Sequence, residues 1–416
     1  MEKLRGACII GQSGGPTSVI NASTLGAIMA GLDADCITRV LGARYGIEGV
    51  LNDNLIDLNK EDKKELELLK FTPASALGSC RHKLVDSDVD DSEYKMILEV
   101  FKKYDVRYFF YNGGNDSMDT CNKISKYMEK VGYECRVMGI PKTIDNDLFG
   151  TDHCPGYGSA AKYIATSCME LIQDARVYQT GAVIVLEIMG RNAGWLTAAA
   201  ALATEENQGP DLIYLPEINF SMDTFLDQVE AVHKEKGGVV VAVSEGIKDK
   251  DGVYVSSYSA LASDHIDAFG HSQMGGLGVY LADKIKARLG ISKARAIEFS
   301  LLQRSAAHCA SKTDADEAYM AGQAAVENAI QGKTDFMVGF ERYNEDGEYQ
   351  CKIKLLPLSE VANAEKTIPK EWINKEGNGL TKEFIEYARP LIIGENHGEK
   401  YRGLPRYAKL KNIKAE

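Results

Sequence analysis

Val106-Arg107-Tyr108-Phe109-Phe110-Tyr111-Asn112-Gly113-Gly114-Asn115-Asp116-Ser117 decides the fold of this chain. A strongly β-prone run ends on a glycine pair, and a polar pair then leads into a helical stretch. Such a segment reads as a buried strand turning directly into a helix. Working outward, the same unit recurs. Ala7–Ile10, Val137–Ile140, Ala182–Leu186, Val239–Val243 and Ala294–Phe299 read as further buried strands. Residues 18–31, 118–131, 157–177, 192–206, 221–236, 276–289 and 313–331 read as helices. This alternation predicts an open, mostly parallel α/β sheet with helices on both faces. Ligands of such sheets bind at the carboxyl ends of the strands. The more polar segments 59–70, 82–95 and 343–382 are expected to be insertions or peripheral elements.

Composition narrows the function classes. The 416 residues suffice for one large core or two ordinary domains, and 44% apolar with 26% charged residues fits a soluble globular protein. A net charge of −12 without a basic run argues against a nucleic-acid surface. It also requires that any phosphate site be locally positive. The 9 cysteines are scattered and contain no CxxC, which disfavours a disulfide framework or a zinc site. No run approaches a membrane span, and the first apolar segment is too short for a signal peptide. The cytoplasm is the expected compartment.

Three turns carry the chemistry. Gly11-Gln12-Ser13-Gly14-Gly15-Pro16 ends the first strand, and free amides at the following helix start suit a phosphate. Taken alone, it serves equally as an ordinary glycine-rich turn. In Asn112–Ser117, Asp116 or Ser117 can cap the helix, and the turn can also share a phosphate site with the first. In Pro141-Lys142-Thr143-Ile144-Asp145-Asn146-Asp147, an extended or turning backbone places Asp145 and Asp147 on one side, framed by Thr143 and Ile144. One carboxylate suits a general base, and the other can orient the substrate or bind Mg²⁺ through water. Lys142 can neutralise charge on a leaving phosphate. An Asx-rich turn is the plain alternative. Downstream, Met189-Gly190-Arg191, Ser244-Glu245-Gly246, Arg295 and Gln303-Arg304 stand at strand ends. Guanidinium groups there suit bidentate phosphate recognition.

Taken in order, Ser-Gly-Gly, Leu-Gly-Ser-x-Arg (Leu77–Arg81), Gly-Gly-x-x-Ser, Pro-x-Thr-Ile-Asp-Asn-Asp, Met-Gly-Arg, Ser-Glu-Gly and Gln-Arg resemble the phosphofructokinases over residues 11–304. The likeness is to the pyrophosphate-dependent branch. The resemblance implies two Rossmann-like three-layer α/β/α domains with mostly parallel sheets and an active site in the cleft between them. Residues 1–156 plus about 303–370 would form the pyrophosphate domain. Residues 157–302 plus the C-terminal segment would form the fructose 6-phosphate domain.

The resemblance also implies roles. Asp145 would deprotonate the C1 hydroxyl of fructose 6-phosphate, with Thr143, Ile144, Met189, Gly190 and Glu245 positioning the sugar. Arg295 and Arg304 would hold its 6-phosphate, Arg295 from a neighbouring subunit, which implies a homodimer or homotetramer. Gly14, Arg81 and Gly114 would bind the diphosphate, and Arg191 and Asp147 would flank the transferring group. Asn115 and Asp116 would serve Mg²⁺. Relatives that use ATP have glycine at the positions of Asp116 and Lys142. A carboxylate at 116 fills and repels the α-phosphate space, and an ammonium at 142 stabilises leaving phosphate. Both point to pyrophosphate. The chain departs from the family pattern at Asn115, where Asp is usual, at Leu301, where His or Tyr is common, and at Ala182, where ATP-dependent bacterial forms carry an interface Arg. An ATP-dependent enzyme and a catalytically silent regulatory subunit are the alternatives. Asp145, Asp147, Lys142 and Arg191 weigh against the silent subunit.

Overall fold

The computed structural model describes residues 4–177, 179, 181–206, 208–259, 275–362 and 364–416. Its first strands are β1 (Gly6–Gln12), β2 (Ile37–Ala43), β3 (Leu55–Asp57), β4 (Val106–Gly113) and β5 (Arg136–Pro141). Then follow β6 (Val183–Ile188), β7 (Leu212–Tyr214), β8 (Val239–Ser244), β9 (Ala294–Glu298), β10 (Phe336–Glu345) and β11 (Glu348–Pro357). One sheet is seven-stranded, ordered β11-β10-β5-β4-β1-β2-β3. It is parallel from β10 to β2, with antiparallel edges at β11 and β3. A second is four-stranded, ordered β7-β8-β6-β9, and wholly parallel, and a third is a two-stranded antiparallel hairpin of Lys400–Tyr401 with Leu404–Pro405.

The apolar strand runs make sense once both faces are covered. In β1, Ala7 and Ile9 join one buried cluster with Phe101, Phe109 and Ile124, while Cys8 and Ile10 join another with Leu25, Phe110 and Ala325. Successive side chains point to opposite faces, so a strand apolar at every position needs a helical layer on each. The helices Ile20–Asp33 and Lys312–Ile330 form one of these layers. In the second sheet, Val183 and Val185 pack towards the helices Met222–Lys236 and Leu277–Leu289. Ile184 and Leu186 pack towards the helix Tyr157–Ala175. Full burial of each such aliphatic side chain contributes roughly 1.5–3 kcal/mol.

Three expectations change. Segment 343–382 is not peripheral throughout: β11 pairs along its whole length with β10 and forms an edge of the large sheet. Its solvent-facing side keeps Lys352 and Lys354, which is why the stretch reads as polar. The edge strands β3 and β7 are only three residues long, and β2 carries polar Thr38-Arg39 near its start, so none stands out as the inner strands do. The helix expected over 192–206 starts only at Trp195, after Gly194, and tightens to 3₁₀ geometry from Ala200.

Candidate active site

Parallel pairing brings the three sequence turns to one edge. Gln12 of β1 lies level with Asn112 of β4, and Gly113 of β4 with Pro141 of β5. In the second sheet, Ile188 lies level with Ser244, and Glu187 with Glu298. Between these two rows of strand ends lies a cavity of about 560 Å³. Arg81, Lys142, Thr143, Ile144, Asp145, Asp147, Met189, Arg191, Glu245, Leu301 and Arg304 all line it.

The turn 143–147 owes its shape to Asn146. That residue has φ +55°, a left-handed backbone that asparagine tolerates better than most side chains. It is fully buried, whereas Asp145 and Asp147 on either side are half-buried and face the cavity. The Asp145 amide donates to Thr143 Oγ1 at 3.0 Å, tightening the turn. Burial, and then the Glu245 charge, push the Asp145 carboxyl up to about 6, against the pull of Lys142 and Arg304. Burial and the neighbouring Asp145 charge raise Asp147 as well. A carboxylate with an elevated pKa is a better proton acceptor near neutrality than an ordinary one.

Lys142 is only 4% exposed, and its ammonium donates to the Gly15 carbonyl at 2.7 Å. Burial lowers its pKa to about 8, with Asp145 opposing and Arg304 adding to the fall. At pH 7 it is still mostly charged. Gly14 has φ +75°, and a Cβ there would stand 3.2 Å from Lys142 Nζ. The first turn and the third therefore meet at this ammonium. Arg304 reaches the same place, since a Cβ on Gly15 would lie 2.9 Å from its Nη1. Burial and the Arg81 charge lower the Arg304 pKa. Arg81, Lys142 and Arg304 thus build the locally positive pocket that a chain of net charge −12 needs for an anion.

The strand ends of the second sheet carry acceptors. Glu245 Oε1 accepts the Gly190 amide at 3.3 Å, and Gln303 Oε1 accepts the Met189 amide at 3.2 Å, so both strand-end turns are fixed. Glu187 and Glu298 also line the cavity, and the Gly278 amide donates to Glu187 at 2.7 Å. Glu187 is not among the residues singled out in the sequence, although a carboxylate near the end of an apolar strand marks it. Glu365 lines the cavity too, accepting from Asn192 Nδ2 at 3.1 Å. It lies far along the chain from both turns that it meets, so nothing local marks it.

Other expected residues stand back from the cavity. Gly114 precedes the helix Asn115–Lys130, and a Cβ there would touch the Lys142 carbonyl at 3.5 Å. Asp116 lies in that helix's first turn, 3.9 Å from Lys83 Nζ. Arg295 projects from the edge strand β9 and is exposed rather than turned into the cavity. Asn115 Nδ2 donates to Asp147 Oδ2 at 3.4 Å, and its Oδ1 is buried without a hydrogen-bond partner. An orphaned amide oxygen beside a carboxylate is a hard-oxygen donor set, which fits a divalent cation such as Mg²⁺.

The phosphofructokinase family model matches residues 7–329. The chain belongs to the phosphofructokinase family. Among its relatives, the pyrophosphate–fructose 6-phosphate 1-phosphotransferase of Halomonas elongata is 44% identical over 409 residues, covering 97% of this chain and 96% of that one. The Methylococcus capsulatus protein of the same name is 43% identical, covering 97% and 95%. A solved pyrophosphate-dependent phosphofructokinase from Nitrosospira multiformis superposes with a TM-score of 0.89 at 41% identity, over 99% of this chain and 98% of that one. The two-sheet α/β architecture is therefore this family's fold.

Proposed function

We propose that this phosphofructokinase takes its phosphoryl group from pyrophosphate: diphosphate plus D-fructose 6-phosphate gives D-fructose 1,6-bisphosphate plus phosphate. The observation that carries this reading is Lys142, a buried ammonium between the Gly14-Gly15 turn and the Asp145 carboxylate.

In the forward direction Asp145 accepts the proton of the C1 hydroxyl. The oxygen then bonds to the terminal phosphorus of diphosphate, and the bridging P–O bond breaks to release phosphate. Lys142 meets the charge that develops on the departing group, which in pyrophosphate lacks an adenosyl moiety. Arg191 and Asp147 flank the transferring group, and Gly14, Gly114 and Arg81 hold the rest of the diphosphate. Thr143, Ile144, Met189, Gly190 and Glu245 orient the sugar. Arg304 binds its 6-phosphate beside Leu301, and Arg295 of a second copy completes that site, so the enzyme works as a homodimer or homotetramer. Mg²⁺ supplies charge neutralisation on the phosphate oxygens when bound. Asn115, Asp147 and, across the helix start, Asp116 are the residues that would hold it, directly or through water. Only one phosphoanhydride is exchanged for an ester and phosphate, so the reaction runs both ways.

We assign residues 1–156 plus about 303–370 to the diphosphate side and 157–302 plus the C-terminal segment to the sugar side. Among the described residues no helix is long and apolar enough to cross a membrane. The cytoplasm is the compartment we assign. Phosphorus NMR of the purified protein with Mg²⁺, diphosphate and fructose 6-phosphate tests the reaction. One phosphate and one fructose 1,6-bisphosphate should appear per diphosphate lost. Phosphate appearing without the bisphosphate would refute the transfer.

A further inference from the structure

Asp145 and Asp147 face the cavity only because the residue between them faces the other way. Asn146 turns its side chain into the protein, where its partners come from chain segments outside the family motifs. Its Nδ2 donates to Tyr387 Oη at 2.8 Å, and its Oδ1 accepts the Cys154 amide at 2.9 Å. Tyr387 lies in the helix Lys382–Ala388, far down the chain. Its own hydroxyl proton goes to the Asp152 carbonyl at 2.7 Å, so the ring spans both arms of the loop 145–154.

Lys366 grips the same loop from a second side. Its backbone amide donates to the Asp147 carbonyl at 2.8 Å. Its ammonium donates to the carbonyls of Asp152 at 2.7 Å and Thr151 at 3.3 Å, and to Asn146 Oδ1 at 3.5 Å. The Lys366 carbonyl accepts Trp195 Nε1 at 2.8 Å, and the Trp195 ring packs against Tyr387 at a tilt of 46°, with centroids 5.3 Å apart. Trp195 lies just beyond Met189-Gly190-Arg191, so one C-terminal buttress touches the catalytic turn and the chain leaving the sugar-side turn.

We propose that Tyr387 and Lys366 are positioning residues for phosphoryl transfer, holding Asn146 and the Asp147 carbonyl so that Asp145 and Asp147 keep their aim into the cavity. The role rests on the phosphotransferase activity proposed above. A left-handed asparagine stores backbone strain, and such a conformation persists only where its surroundings over-determine it. Without the Tyr387 hydroxyl, Asn146 Nδ2 is left buried without an acceptor, and the turn can relax. A misaimed base slows the chemical step and leaves substrate binding largely intact, because the residues that hold the phosphates are elsewhere.

The experiment compares wild type, Tyr387→Phe, Lys366→Met, Asn146→Ala and the Tyr387→Phe/Asn146→Ala double variant of the full chain. Each is assayed with diphosphate, fructose 6-phosphate and Mg²⁺, alongside its thermal midpoint and hydrogen exchange over residues 143–156. Loss of one hydrogen bond at a positioning residue is expected to lower kcat about tenfold in Tyr387→Phe, with KM for both substrates within about twofold. Lys366→Met should show the same split. The double variant should be no slower than Asn146→Ala, because Tyr387 acts through Asn146. Amide exchange in the loop should rise in Tyr387→Phe while that of β1 and β4 stays unchanged. An unaltered kcat, a loss that multiplies with Asn146→Ala, or KM rising in step with kcat falling would overturn the role. If the wild type is silent with this substrate pair, the proposed reaction fails. Loop exchange then still decides the buttress: unchanged exchange in Tyr387→Phe refutes it, and raised exchange upholds it.

Discussion

Lys142 donates to the Gly15 carbonyl at 2.7 Å, which ties the end of β5 to the turn after β1 across the intervening strand β4. The sheet order makes this contact possible, and the ammonium thereby faces both the Gly14-Gly15 turn and Asp145. In the proposed reaction it is a charge placed in advance where the leaving phosphate needs one, with no reorganisation at the moment of transfer. Replacing it by Met should lower kcat by a factor of several hundred, about 3 kcal/mol or more, by comparison with removing one such electrostatic group elsewhere. The KM for fructose 6-phosphate should move only a few fold. Steady-state kinetics at saturating diphosphate checks the split.

A bell-shaped pH profile should follow from the same two residues. Asp145 must be deprotonated to act as a base, and burial with the Glu245 charge raises it to about 6. Lys142 must be protonated to stabilise the leaving group, and burial lowers it to about 8. The kcat/KM should therefore rise with pH through an acid limb near 6 and fall through an alkaline limb near 8. In the Lys142→Met enzyme the alkaline limb should vanish while the acid limb moves to higher pH, because the ammonium no longer holds Asp145 down. A full profile between pH 5 and 10, in buffers of constant ionic strength, reads both.

Asn115 offers the cation an amide oxygen where a carboxylate would add charge. With its Oδ1 buried and unpartnered beside Asp147, Asn115→Asp should reduce the Mg²⁺ concentration needed for half-maximal activity about tenfold, since ligand charge tunes affinity at oxygen sites. Titration of activity with Mg²⁺ at fixed diphosphate, corrected for the Mg–diphosphate complex, provides the comparison. An unchanged or raised requirement would place the cation away from residue 115.

His153 makes stability depend on pH. Its ring lies between Asp152 at 2.8 Å and Glu317 at 2.7 Å and is almost fully buried. Burial disfavours the charged ring, but the Glu317 charge and both hydrogen bonds outweigh it and raise the pKa to about 9. A folded-state pKa above the unfolded value stabilises the protein fully below the unfolded pKa of about 6.5, and the contribution is lost as pH rises through 9. The full contribution is on the order of 3 kcal/mol. His153→Gln should lower the thermal midpoint more at pH 6 than at pH 9.5. Calorimetry of both proteins at both pH values reveals the difference.

The fold was legible where strands are apolar at every position, because only a strand covered on both faces needs that pattern. Phe109 and Phe110 are both fully buried, one in each layer. It was not legible in β11, whose Lys352 and Lys354 face water while Ile353 and Leu355 on the opposite face pack against the core. Alternation with charged residues is equally the mark of an exposed insertion. Of the candidate site, the Asp145–Asp147 pair and Lys142 could be read locally, since three neighbouring charged residues have no use in a core. That Lys142 would meet Gly15, or Asn146 meet Tyr387, depends on sheet order and on a C-terminal helix. No spacing within the motif encodes either contact. Glu365 is the clearest case: its place beside Asp147 rests on backbone pairing between Leu148 and Glu365.

In the proposed reaction, Lys142 and Asp116 commit this phosphofructokinase to pyrophosphate. The measurement that tests it most directly is the rate of fructose 1,6-bisphosphate formation by the purified wild-type chain, with Mg²⁺ and either diphosphate or ATP at equal concentration. Turnover with diphosphate and none above background with ATP is the predicted result. Turnover with ATP but not with diphosphate would contradict it.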